Sequence, residues 1–153
     1  MNSILFLQIS SVILVIIFLI LVHHMLHPSL GSAIRNSNWM PAEKFLRMRN
    51  VRNDKNRLAS EKYNVKGVYI LHNLSRHKYY VGQAHKLLSR VNGHLTGKGN
   101  GDVYADYIYG DKFRVRFVRF RGRAFKSLNE MERYYIDKYH AQNAGYNKTV
   151  GNK

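Results

Sequence analysis

From Ile4 to Val22 the chain carries no charge, and Ile, Leu, Val and Phe dominate. Only Gln8, Ser10 and Ser11 interrupt the run. A helix rises roughly 1.5 Å per residue, so this length just spans a hydrocarbon core of about 30 Å. His23, His24 and His27 mark its exit. A buried helix of a soluble core fits less well, because the run is apolar on all faces. A cleaved signal peptide is the competing reading. Against it, Met1-Asn2-Ser3 holds no Lys or Arg, and the run exceeds the usual apolar stretch of about 7–15 residues. Gly31-Ser32-Ala33 is the site such a cleavage would use. Every Lys and Arg lies beyond the run, so the positive-inside bias puts the C-terminal part in the cytoplasm and Met1 outside. The expectation is a single-pass transmembrane anchor over residues 1–27, contacting the membrane through residues 4–22.

The remainder of the chain is strongly basic. Its 153 residues include 25 Lys and Arg against 9 Asp and Glu, a formal charge of +16. That surplus points to a polyanion, either nucleic acid or an acidic lipid surface. With no Cys, disulfide scaffolds and cysteine zinc sites are excluded. The length suits one domain plus an appendage.

Residues 28–66 read as a basic linker, partly helical. Pro28 to Ser32 is a break. Pro41 suits a first helical turn, and Ala42 to Ala59 lacks Gly and Pro. Phe45, Met48 and Val51 recur at helical spacing, while Lys44, Arg47, Arg49, Arg52, Lys55 and Arg57 crowd the rest. A solvated spacer, an acidic-lipid contact and an arm along a DNA backbone all fit this pattern.

Residues 67–153 carry the chemistry. Gly67 to Leu71 and Tyr79 to Gly82 are short apolar, β-branched runs around a polar loop, and read as two antiparallel strands. Tyr69 and Tyr80 then lie on neighbouring strands. Gly82 leaves room for backbone or phosphate to approach. Lys86 to Leu95 reads as a short helix with Arg90 and His94 on one face. That pair suits a phosphate, although an ordinary surface pair has the same spacing. After a flexible loop from Lys98 to Asp102, Val103 to Tyr109 is a further helix. Phe113 to Phe120 is the third strand, with a phase slip at Val118 that predicts a bulge or the strand end. Arg114, Arg116, Arg119, Arg121 and Arg123 form the densest basic stripe and are candidates for nucleic-acid contact. Ser127-Leu-Asn-Glu130 is a capping box, and Leu128, Met131, Tyr135 and Tyr139 supply the buried stripe of the last helix. Glu132 belongs to neither and is free to hold a metal; Asp137, further down, is its rival.

Together these residues resemble the GIY-YIG nuclease family, in its homing-endonuclease-like branch. Gly67-Val68-Tyr69 and Tyr80-Val81-Gly82 stand for the two signatures, with Val in place of Ile in both. The family's Arg matches Arg90 and the His of some members matches His94. The metal-binding Glu matches Glu132 ahead of Tyr134-Tyr135-Ile136, and a closing Gly-Tyr-Asn matches Gly145 to Asn147. A second His found in some members has no counterpart between Lys98 and Asp111.

The resemblance implies an α+β fold, a three-stranded antiparallel sheet flanked by helices, and a metal-dependent endonuclease acting on DNA. It implies Mg²⁺ (or Mn²⁺) on Glu132, charge neutralisation at the scissile phosphate by Arg90, and His94 positioning water or contacting phosphate. Tyr69 would orient or deprotonate the attacking water with Tyr80 nearby; sequence leaves open which tyrosine is the base. Asn147 would support the metal site, with Gly67 and Gly82 shaping the strands. The rival function is a membrane-tethered nucleic-acid-binding protein without catalysis.

Overall fold

The computed structural model describes residues 3–26 and 29–152, with side chains described from 10 to 22 and from 29 to 152. The apolar run forms helix α1, Ser3–Leu26. Its apolar side chains from Val12 to Leu21 stand exposed, between 47% and 66% of their surface open. Among the described residues, however, no helix is long and apolar enough to cross a membrane. The expected transmembrane span is therefore not supported. The rest of the expected span and the three histidines at its exit lie outside the described side chains.

The sheet has four strands, not three, in the order β1-β4-β2-β3, all antiparallel. They are β1 (Met40–Pro41), β2 (Gly67–Asn73), β3 (Lys78–Ala84) and β4 (Phe113–Arg119). The added strand comes from the segment read as a linker. Met40 pairs with Val115 and Pro41 with Arg114, and Pro41 fits there because an edge strand can spare an N–H donor. Helices α2 (Leu30–Asn36) and α3 (Ala42–Arg49) flank it and bury Leu30, Ala33, Ile34, Ala42 and Phe45.

Helix α3 stops at Arg49, well short of Ala59. Asn53 explains the stop: its side-chain oxygen accepts from the backbone N–H of Lys55 (3.1 Å) and Arg57 (2.9 Å). Such local bonds favour a turn over a helix.

Both faces of the sheet are covered. On one side Tyr69, Leu71, Val115 and Phe117 meet α2 and α3, with α4 (Leu87–Leu95) and α5 (Gly101–Ile108) completing the layer. On the other, Val68, Ile70 and Val81 meet Leu128, Met131 and Ile136 of α6 (Leu128–Lys138). This double cover accounts for Val118. The β2–β4 register runs unbroken from Gly67↔Arg119 to Asn73↔Phe113, with no bulge. Val118 is simply the apolar residue of the α6 face, and the strand ends one residue later.

The cap of α6 forms as expected. Ser127 Oγ accepts from the Glu130 N–H (3.1 Å), and the Glu130 carboxylate reaches back to the N–H of Lys126 (2.7 Å).

Candidate active site

β3 is the free edge of the sheet, and side chains from both layers converge on it. Tyr69 lies on β2 opposite Gly82, with the Tyr80 ring 6.1 Å away centre to centre. Gly82 is required by this packing: a Cβ there would collide with the Tyr69 hydroxyl. The gap expected to admit backbone or phosphate is thus filled by Tyr69. Gly67 is fixed by backbone instead, since a Cβ would meet the carbonyl of Val118.

Arg90 and His94 share one side of α4 but differ in environment. Arg90 is exposed, whereas His94 is fully buried. His94 Nε2 lies 2.7 Å from the Tyr69 hydroxyl, and its Nδ1 accepts the backbone N–H of Asn100 at 2.8 Å. A nitrogen that accepts carries no proton, so neutral His94 holds its hydrogen on Nε2 and donates it to the Tyr69 oxygen. Burial, with Arg90 adding to it, lowers the His94 pKa to about 4 and keeps the ring neutral near pH 7. The loop from Lys98 to Asp102 is therefore part of the site rather than a passive connection. Asn100 caps α5 through the N–H of Val103 (3.0 Å), which holds its own N–H against His94. A Cβ on Gly99 would also press on the His94 ring.

Burial pushes the Tyr69 hydroxyl well above its ordinary pKa; the Tyr80 phenol adds to the effect and the Arg90 guanidinium opposes it. Tyr69 is thus a neutral phenol whose oxygen already accepts from His94. The Tyr80 phenol and the Arg90 guanidinium are also within hydrogen-bonding reach of that hydroxyl.

Glu132 reaches the same edge from α6. It is buried, and it shares the inward side of the helix with Met131 and Ile136. Its Oε1 accepts from the Gln83 backbone N–H at 3.0 Å. Its Oε2 accepts from Gln83 Nε2 (3.0 Å) and from the backbone and side-chain nitrogens of Asn152 (both 3.2 Å). Asp137, the rival carboxylate, is exposed one to two turns on. Tyr69, Tyr80, Gly82, Gln83, Arg90, Asn100, Glu132 and Asn147 line one polar cleft with Lys148, Thr149, Gly151 and Asn152, and Glu132 is its sole carboxylate among the described residues.

Asn147 has a backbone-like role. Its side-chain oxygen accepts the Val81 N–H (2.8 Å) and its nitrogen donates to the Val81 carbonyl (2.7 Å). It completes the open edge of β3 beside Tyr80, and its side-chain amide is bonded to Val81 rather than to Glu132.

The arginine stripe is not brought to this cleft. Arg114 and Arg116 stand on the α6 face two strands away. Arg114 donates to His72 Nδ1 (3.0 Å) and lies 4.4 Å above the Trp39 ring. Arg116 donates to Ser37 Oγ (3.2 Å) and to the Tyr139 hydroxyl (3.1 Å). Arg119, Arg121 and Arg123 are exposed at the strand end and in the following loop, beside Phe125.

Sequence reasoning missed Gln83, Gly99, Asn100 and Asn152. Gln83 directly follows Tyr80-Val81-Gly82, and its alternation with Val81 would have placed it on the edge facing α6; the others carry no local signal.

The family model described as the GIY-YIG catalytic domain matches residues 65–147, and the chain belongs to that family. It is by class a nuclease, a phosphodiester hydrolase. Two solved structures are similar to it. One, described as a mutant of the catalytic domain of intron endonuclease I-TevI, is 18% identical with a TM-score of 0.44, covering 57% of this chain and 96% of that one. The other, the catalytic domain of homing endonuclease I-TevI, is 19% identical with a TM-score of 0.44, covering 55% and 98%. No protein with a curated description matches.

Proposed function

We propose that the chain is a divalent-cation-dependent DNA endonuclease. One observation carries this reading: Tyr69, Tyr80 and Arg90 from one layer and Glu132 from the other line one cleft at the open edge of β3, with His94 bonded behind Tyr69. A purely binding protein has no need of a buried carboxylate aimed into the same cleft as a cation and two phenols.

Glu132 fits Mg²⁺ or Mn²⁺. Its hard oxygens suit an ion that keeps several waters and takes one or two carboxylates. Among the described residues no three His, Cys, Asp or Glu side chains form a cage, which argues for such an ion over zinc. When bound, the cation would supply Lewis-acid stabilisation of the leaving 3′ oxygen.

The remaining work falls to the chain's own groups. Arg90, exposed at the rim, neutralises charge growing on the scissile phosphate. Tyr69, with Tyr80 beside it, orients the attacking water, and His94 fixes the direction of the Tyr69 hydroxyl. For Tyr69 to take a proton as base, its phenolate must be stabilised; the Nε2–H of His94 and the charge of Arg90 both point at that oxygen. Gln83 holds the Glu132 carboxylate by both oxygens.

The test is incubation of the full chain with supercoiled plasmid, with Mg²⁺ and with chelator. The full chain is the right reagent because β1, α2 and α3 form part of the core and would be lost in a piece starting at Lys66. Nicking or linearisation that chelator abolishes supports the reading; binding without cutting supports the non-catalytic alternative.

Attachment to a membrane is a further part of the proposal. It is supported by the exposed apolar surface of α1 from Val12 to Leu21, together with the uncharged run from Ile4 to Val22. The chain would associate with the bilayer through this apolar face; among the described residues no helix is long and apolar enough to cross it. Such a tether would concentrate the nuclease where DNA crosses the bilayer. Recovery in the membrane pellet after alkaline carbonate washing supports it, and release into the wash counts against it.

A further inference from the structure

Between α3 and β2 the chain forms a small, stiff, basic hairpin whose role the cleft does not explain. Arg52 and Leu58 pair as an isolated antiparallel bridge. Asn53 donates its N–H to the Arg57 carbonyl (2.8 Å), and Ala59 donates to the Val51 carbonyl (2.9 Å). The Asn53 side chain holds the turn from inside, and Asn56 takes a left-handed φ of 55°. At the root, Ser60 Oγ donates to the Arg49 carbonyl (2.8 Å). This is a preorganised element, not a loose loop.

Its charge is one-sided, and apart from Arg52, which donates to the Asn56 carbonyl (2.7 Å), largely uncommitted. Arg47, Arg52, Lys55, Arg57 and Lys62 are all exposed, and none of them is in an ion pair among the described residues. Of the two acids in the stretch, Glu61 is spent on Lys86 at 3.2 Å. The β4 arginines, in contrast, are spent on His72, Ser37 and Tyr139.

The hairpin is also tied to the catalytic helix. Asn64 Oδ1 accepts the N–H of Leu88 (2.9 Å) and of Ser89 (3.3 Å), and Asn64 Nδ2 donates to Ser89 Oγ (2.8 Å). Leu87 donates to the Val65 carbonyl (3.1 Å). The Glu61–Lys86 pair lies one turn before Arg90 on the same face of α4. Any phosphate chain lying on Arg90 therefore has a rigid basic element fixed just upstream.

We propose that the hairpin from Arg47 to Lys62 is the principal sequence-independent contact to the DNA backbone, holding the duplex in register on Arg90. Its partner rests on the endonuclease reading above. Unpaired cations on an ordered scaffold gain affinity by displacing counterions from phosphates, and backbone contacts fix position without reading bases.

The test needs no cleavage. Duplex binding by the full chain in neutral detergent and chelator is measured against salt concentration for the parent and for the triple variant Lys55→Gln, Arg57→Gln, Lys62→Gln. The expected result is about tenfold or more weaker binding at low salt and a log–log slope shallower by roughly one per lost contact. A control triple on other surfaces, Lys112→Gln, Lys126→Gln, Lys138→Gln, should leave the slope as it was. An unchanged slope in the hairpin variant overturns the proposal, and so does an equal flattening in the control. Loss of binding to phosphatidylserine vesicles with the DNA slope intact overturns it too, in favour of a lipid contact. Failure of the plasmid to be cut at all bears on the endonuclease reading alone, because the slope is read without metal.

Discussion

Gly82 illustrates how narrowly the site is packed. A methyl group there occupies the place of the Tyr69 hydroxyl, so Gly82→Ala must push the ring off His94 or bend β3. The cost of such overpacking is about 1–3 kcal/mol in stability. Activity should fall further than that loss alone predicts, by about two orders of magnitude if placement of the hydroxyl matters as proposed. Thermal melts and single-turnover rates on the same samples separate the two effects. His94 makes a second residue-scale prediction. Its folded pKa of about 4 lies below the ordinary value of 6.5, so the unfolded chain binds the extra proton first as pH falls. The stability it contributes is complete above about pH 6.5 and is lost on acidification toward about pH 4, by up to about 1.4 kcal/mol per pH unit. Urea titrations at stepped pH should show this loss, and His94→Gln should flatten it. Glu132 makes a third. Of the four hydrogen bonds the Glu132 carboxylate accepts, one falls on Oε1 and three on Oε2, two of these from Asn152. A cation on Oε2 must displace Asn152, so removing residues 151–153 should tighten Mn²⁺ binding, read directly from the free-ion signal in spin resonance.

At the scale of elements, the upstream segment belongs to the folding unit. Phe45 of α3 is fully buried, with its ring 5.4 Å from Phe117 of β4. Phe45→Ala should therefore cost about 3–5 kcal/mol, a core penalty that a solvated spacer would not show. Chemical denaturation of the full chain measures it directly. Arg116→Gln should likewise lower stability, because it unseats Ser37 and Tyr139, and should barely alter the salt dependence of DNA binding. The β2–β3 hairpin, the last helix and its cap were legible in the sequence because their signals are local: alternation, a turn, and Ser127 three residues before Glu130. The two-residue strand β1 has no such signal; only the exposed edge of β4 decides that Met40 and Pro41 pair. That Arg114 and Arg116 are engaged within the fold was hidden for a related reason. Alternation says that Arg114 and Arg116 face away from Phe113 and Val115, but not that Trp39, Tyr139 and α6 lie on that other side.

For the whole molecule, the formal charge of +16 is distributed over surfaces with different roles. Part of it locks the α6 face, part lies at the cleft rim in Arg90, and part stands free on the hairpin. The candidate residues could be picked out because the two short signatures, Arg90, His94, Glu132 and Asn147 occur in order along the chain. Their supports, Gln83, Asn100 and Asn152, were not, since each acts through a backbone or amide contact that only the folded chain creates. The most direct test of the central claim is plasmid cleavage by three forms of the full chain with Mg²⁺: the parent, Glu132→Ala and Glu130→Ala. The parent should nick or linearise DNA, and chelator should stop it. Glu132→Ala should bind DNA with the parental salt slope and cut nothing. Glu130→Ala should lose about 1 kcal/mol of stability with its cap and still cut. Cleavage that survives in Glu132→Ala and fails in a folded Glu130→Ala would contradict the assignment of the metal-binding carboxylate, and with it the account of the site.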